Sequence, residues 1–116
     1  SEFKILLIDD DVEQEQQLKE AIENFNKKYF INKTSKILGI TERKQIAKLS
    51  ILDNKEAVYN KLKEDFSLSS EIDEIFNFSV TYKAADTPEK AMVLLYKENF
   101  HALIVDLKLE TDDNTN

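Results

Sequence analysis

Residues 4–11 read KILLIDDD, an apolar run that ends abruptly in three consecutive carboxylates, Asp9, Asp10 and Asp11. With Phe3 ahead of it, the run is rich in strand formers and has no polar alternation. That is the pattern of a strand covered on both faces, as in a parallel sheet. A helix is expected next. Asp11 can cap it, Glu13 and Glu15 suit the positive end of its dipole, and Leu18, Ala21 or Ile22, Phe25 and Tyr29 recur at helical spacing.

Further along, Phe78, Val80 and Tyr82 alternate with Ser79, Thr81 and Lys83, which predicts a strand from Phe78 to Ala84, suited to a sheet edge. Thr87-Pro88 reads as an N-cap followed by proline at the first helical position, opening a helix to about Glu98 with Ala91, Leu94 and Leu95 inward. HALIVDL, His101 to Leu107, is a third run of buried-strand type with Asp106 near its end. The order β, α, gap, β, α, β favours an α/β fold with a parallel sheet and right-handed crossovers.

The gap is the anomaly. Asp10 and Asp106 are 96 residues apart, whereas two helices, two strands and four connections need roughly 50. The surplus lies between the first helix and the second strand and is read as a helical insertion over residues 30–77 within one domain of 1–116. It carries apolar residues enough to fold. Helices are predicted from Thr41 to about Leu49, from Asn54 to Phe66 behind an Asp53 or Asn54 cap, and from Glu71 to Phe76 behind Ser70.

Composition narrows the chemistry. The 116 residues include one Gly, one Pro, one His and no Cys. A glycine-rich phosphate loop needs the positive φ and close backbone approach that only Gly tolerates, and Gly39 alone cannot build one. Disulfides, a thiolate nucleophile, Cys-ligated zinc and multi-histidine metal sites are excluded as well. No apolar run approaches the ~20 residues of a membrane span and no signal peptide is visible, so the expectation is a soluble, cytoplasmic protein. The net charge of −7 disfavours nucleic acid as partner, although residues 27–48 hold seven basic residues and one acidic, Glu42. His101, without a partner histidine or cysteine, reads as a structural residue.

The chemical signal is therefore carboxylate. With strand order 2-1-3 the chain crosses to opposite sides of the sheet after strands 1 and 2, and a crevice opens at the carboxyl ends of strands 1 and 3. Asp9, Asp10 and Asp106 would meet there and repel one another unless a cation neutralised them. Oxygen ligands of this kind suit Mg²⁺, which takes one or two carboxylates and leaves room for phosphate oxygens. An aspartate beside it can act as nucleophile toward a phosphoryl donor.

KILLIDDD, the amphipathic helix after it and ALIVDLKL at 102–109 together resemble the first three strands of the receiver domain of two-component response regulators, over about 70 of the 116 residues. The resemblance implies a flavodoxin-like receiver half, with Asp106 as phosphoacceptor, Asp10 as direct Mg²⁺ ligand, Asp9 as a partner through water and the Lys108 main-chain carbonyl as a further ligand. It implies a histidine kinase or small phosphodonor as partner, in signal transduction, and no enzyme activity of its own beyond self-phosphorylation. Receivers have five strands, with a Ser or Thr ending the fourth and a Lys ending the fifth. Neither residue can be assigned here, since the sequence stops ten residues after Asp106. Either a longer chain or a second copy is expected to complete the sheet, because an uncovered third strand invites association. Two other readings stay open: a phosphorylation-independent interaction or dimerisation module, and a haloacid dehalogenase-type Mg²⁺ phosphatase, whose strand-end motif LLIDDDV superficially matches.

Overall fold

The computed structural model describes residues 1–37, 55–65 and 70–106. Along the chain these form β1 (Glu2–Ile8), α1 (Val12–Ile37), α2 (Lys55–Asp65), α3 (Ser70–Asn77), β2 (Ser79–Ala85), α4 (Pro88–Lys97) and β3 (Ala102–Val105). The helix expected at 41–49 and the Asp53 or Asn54 cap lie outside the described residues. Contacts divide the chain into two compact units, one of Ser1 and Glu23–Ser79, the other of Glu2–Ile22 and Val80–Asn116.

The second unit is α/β and holds a three-stranded parallel sheet in the order β2-β1-β3. β1 and β3 pair in parallel from Ile5 opposite Ala102 to Ile8 opposite Val105. The central position of β1 explains its unbroken apolar run, since Leu6, Leu7 and Ile8 are all buried. Leu6 and Ile8 pack with Ala85, Ala91, Leu94 and Phe100 on the α4 side. β2 takes the edge that its period-two pattern predicts. α4 starts as read: Thr87 is extended (φ −137°, ψ 155°) and its hydroxyl accepts from the Lys90 N–H at 3.2 Å, with Pro88 next.

Two details of this unit depart from the sequence reading. Leu95, expected inward, is exposed beside Met92, Val93 and Tyr96, so Ala91 and Leu94 carry the packing. β3, with the composition of a strand covered on both faces, leaves Leu103, Ile104 and Val105 exposed at 51%, 43% and 50%. The reason is its place in the order: β3 is an edge strand, and among the described residues no element lies beyond it.

The first unit is helical. α1 does not stop near Tyr29 but continues to Ile37, because the buried positions Phe30 and Thr34 follow Ile22 on one stripe at spacings of eight and four. Of the two alternatives Ala21 and Ile22, it is Ile22 that is buried and Ala21 that is exposed. Phe25 is exposed, stacked on Tyr29 at 5.1 Å between ring centroids. Phe30, Val58, Leu62 and Ile72 form the core, flanked by Ile31, Tyr59, Ile75 and Phe76. α2 and α3 fall within a residue or two of their predicted bounds, since Val58 and Leu62 keep helical spacing and both are fully buried. The Tyr59 hydroxyl donates to Asp73 Oδ1 at 2.6 Å, which holds the phenol above its ordinary pKa by favouring the protonated form. Lys55 Nζ donates to the Phe78 carbonyl at 3.1 Å, and burial lowers its pKa.

Candidate functional site

Asp9, Asp10 and Asp106 meet at the carboxyl ends of β1 and β3, with one carboxylate oxygen of each within 4.8 Å of the others. Register produces this. Ile8 pairs with Val105, so the residues one step beyond, Asp9 and Asp106, leave the sheet side by side. Main-chain bonds pin both: the Asp106 N–H donates to the Ile8 carbonyl at 3.0 Å, and the Asp9 N–H donates to the Ala85 carbonyl at 3.0 Å. β1, the central strand, is thus tied on both sides where the carboxylates emerge.

Local turn chemistry orients them further. Asp9 Oδ1 accepts the Asp11 N–H at 2.8 Å, and Asp11 Oδ1 accepts the Glu13 N–H at 2.9 Å, capping α1 as its sequence predicts. Asp11 is thereby committed to the helix start, and the three remaining carboxylates form the cluster. Asp9 and Asp106 are half-buried and Asp10 is exposed. The N-terminal end of α1 lies directly after the cluster in the chain, so its partial positive charge offsets part of the repulsion.

The separation can be compared with a cation's demands. Oxygens at about 2.1 Å in an octahedral Mg²⁺ shell are at most about 4.2 Å apart. Atoms within 4.8 Å are therefore close to that span, and a small side-chain rotation or one intervening water closes the difference. Carboxylate oxygens at the sheet edge are also the ligand type that Mg²⁺ prefers. The donor set fits the ion. Lys108, whose main-chain carbonyl the sequence reading included, lies outside the described residues.

Two hollows flank the cluster. The larger, about 720 Å³, is lined by the apolar Leu7, Leu18, Ile104 and Val105, by Gln14 and Gln17 of α1, and by Asp9, Asp11 and Asp106. The smaller, about 330 Å³, opens toward the end of β2, where Asp86 and Lys90 face Asp9, Asp10, Asp11 and Glu15. Lys90 Nζ bonds Asp86 at 2.9 Å and holds its carboxyl below the usual range. The sequence reading missed Asp86 and Lys90. Their i,i+4 spacing across the Thr87 cap is a signal that could have placed them together at a strand end. Tyr82 hydroxyl donates to Glu15 Oε2 at 3.1 Å, joining β2 to the first turn of α1.

His101 stands apart from this site. Its Nδ1 accepts the Lys4 N–H at 2.8 Å and its ring stacks on Phe3, 5.1 Å between centroids. Both contacts are with β1. No helix among the described residues is long and apolar enough to cross a membrane. No family model matches the chain, and neither a curated protein nor a solved structure matches it.

Proposed function

We propose that the sheet-bearing unit is a receiver-like, flavodoxin-like phosphoacceptor half-domain of a signal-transduction protein, in which Asp106 accepts a phosphoryl group from a histidine kinase or a small phosphodonor. The observation that carries this reading is the convergence of Asp9, Asp10 and Asp106 at the ends of adjacent parallel strands in the order 2-1-3. Strand ends at a topological switch point are where α/β sheets bind ligands. Three carboxylates so close are costly without a cation, and Asp10 and Asp106, with Asp9 through water, are the residues that would hold Mg²⁺. When bound, Mg²⁺ supplies positive charge to the carboxylates and to the donor's phosphoryl oxygens.

The chain's own residues do the rest. An Asp106 carboxylate oxygen attacks the phosphorus atom, and a P–O bond to that oxygen forms as the bond to the leaving group breaks. Acetyl phosphate releases acetate; phosphoramidate releases ammonia once its nitrogen is protonated. Asp106 is presented for this by its N–H bond to Ile8, and Asp9 is turned toward the cluster by its bond to the Asp11 N–H. In-line attack depends on such positioning.

Incubation with Mg²⁺ and phosphoramidate or acetyl phosphate, followed by intact-mass analysis, is expected to give one phosphoryl adduct. The adduct should be base-labile and lost in Asp106→Asn. An unmodified wild-type chain counts against phosphoacceptance, and steady release of phosphate from a phosphomonoester would assign the site to hydrolysis instead. A second reading, an interaction module in which a second copy completes the sheet, is favoured by the exposure of Leu103, Ile104 and Val105 on the edge strand. Light scattering separates the two: a dimer abolished by Ile104→Lys and indifferent to Asp106→Asn supports the module.

A further inference from the structure

The β1–β3 pairing is closed at its two ends in different ways. At the carboxyl end the bond is main chain to main chain, Asp106 N–H to the Ile8 carbonyl. At the entry, one step before the Ile5–Ala102 pair, His101 and Lys4 bond reciprocally. The His101 N–H donates to the Lys4 carbonyl at 2.8 Å, while the Lys4 N–H donates to the imidazole Nδ1, also at 2.8 Å. A side-chain nitrogen therefore occupies the place of a ladder carbonyl. A carbonyl accepts at every pH, whereas an imidazole nitrogen accepts only while it carries no proton.

We propose that His101 is a proton-sensitive latch on the entry of β3: the neutral ring closes the first β1–β3 rung and the charged ring opens it. Protonation at Nδ1 sets one N–H against another. The charged groups on the elements packed around this end are Glu2 and Lys4 of β1, Lys83 of β2 and Glu98 after α4. Glu98 is engaged by both Lys4 and Lys83, and Glu2 accepts from the Thr81 hydroxyl at 2.9 Å. Neither carboxylate bonds the ring, so among the described residues the imidazolium gains no partner in exchange for the lost bond. Phe3, stacked on the ring, keeps the imidazole in place over β1 in its neutral form. The Asp106 end does not depend on the ring, so the opening is confined to the entry of β3.

The latch is tested on the intact chain by nuclear magnetic resonance. At pH 8 the ring nitrogen shifts should report the tautomer protonated at Nε2, which leaves Nδ1 free to accept; the Nδ1–H tautomer overturns the proposal. Exchange protection of the Lys4 amide, corrected for intrinsic rates, should fall about fivefold to tenfold from pH 8 to pH 5, while the Asp9 and Asp106 amides keep theirs. Unchanged Lys4 protection in the wild type overturns it. In His101→Asn, whose carbonyl oxygen accepts without titrating, Lys4 protection should no longer depend on pH. A fall persisting in that variant with the wild-type midpoint contradicts the latch.

Discussion

Glu98 joins three segments of the sheet-bearing unit, bonding Lys4 of β1 at 2.6 Å and also Lys83 of β2 from its place at the end of α4. The hydrogen bond from Lys4, then that from Lys83, holds its carboxyl below the ordinary range against a smaller opposing effect of burial. The bond to Glu98 likewise holds the Lys4 ammonium above its usual value. Both shifts favour the charged pair in the folded state. The carboxylate's contribution is therefore complete above its unfolded pKa, about 4.3, and is lost as the pH falls through the lower folded value. Glu98→Gln is expected to melt at a lower temperature than the wild type at pH 7, and the difference should close in acid. A difference that stays constant from pH 7 to pH 3 would show that the ion pairing is not its source. Neither partner of this pair is marked in the sequence, because Lys4 and Glu98 are 94 residues apart and meet only through strand register. The Asp9 and Asp106 pairing was legible by contrast, since each ends an apolar run whose direction is fixed by a parallel sheet.

At the scale of elements, the long α1 shows how burial overrides a boundary drawn from spacing. The early residues of the helix favour a stripe through Phe25 and Tyr29, yet the helical unit buries Phe30 and Thr34 one position round, and the helix continues to Ile37 to do so. Thr34 is the cost of that choice. It is fully buried, and among the described residues its hydroxyl has no hydrogen-bond partner. A buried hydroxyl left unsatisfied costs about 1–3 kcal/mol, while β-branched valine keeps its shape. Thr34→Val is expected to raise the unfolding free energy by about 1 kcal/mol in urea titration with an unchanged slope. A loss of stability on that substitution would mean the hydroxyl is satisfied. α2, α3 and α4 were readable because their signals are local, a proline after an N-cap at Thr87 and helical spacing of Val58 and Leu62. α1 was readable only in part, since its inner half is chosen by a core assembled from residues far along the chain.

For the whole molecule, the order 2-1-3 was the arrangement under which the carboxylates ending the first and third apolar runs would meet, and the sheet has that order. The exposure of β3 was not legible, since composition records what a strand could bury and not which neighbours are there to cover it. Three carboxylates come together from positions 9, 10 and 106, with one oxygen of each within 4.8 Å of the others. Such a cluster should destabilise the fold when bare and stabilise it when a cation joins the site. Two changes of opposite sign are expected: without divalent cation Asp10→Asn melts higher than the wild type, and with millimolar Mg²⁺ the wild type gains stability that the variant does not. Binding to the native state alone adds RT ln(1 + [Mg²⁺]/Kd), about 1.4 kcal/mol at tenfold excess over Kd. That shifts the melting temperature of a chain of this size by several degrees. The decisive measurement is the wild-type melting temperature across 0.1–10 mM Mg²⁺ at constant ionic strength, beside that of Asp10→Asn. A rise in the wild type that is absent from the variant is the predicted result; a melting temperature that does not move with Mg²⁺, or moves equally in both, would contradict the site.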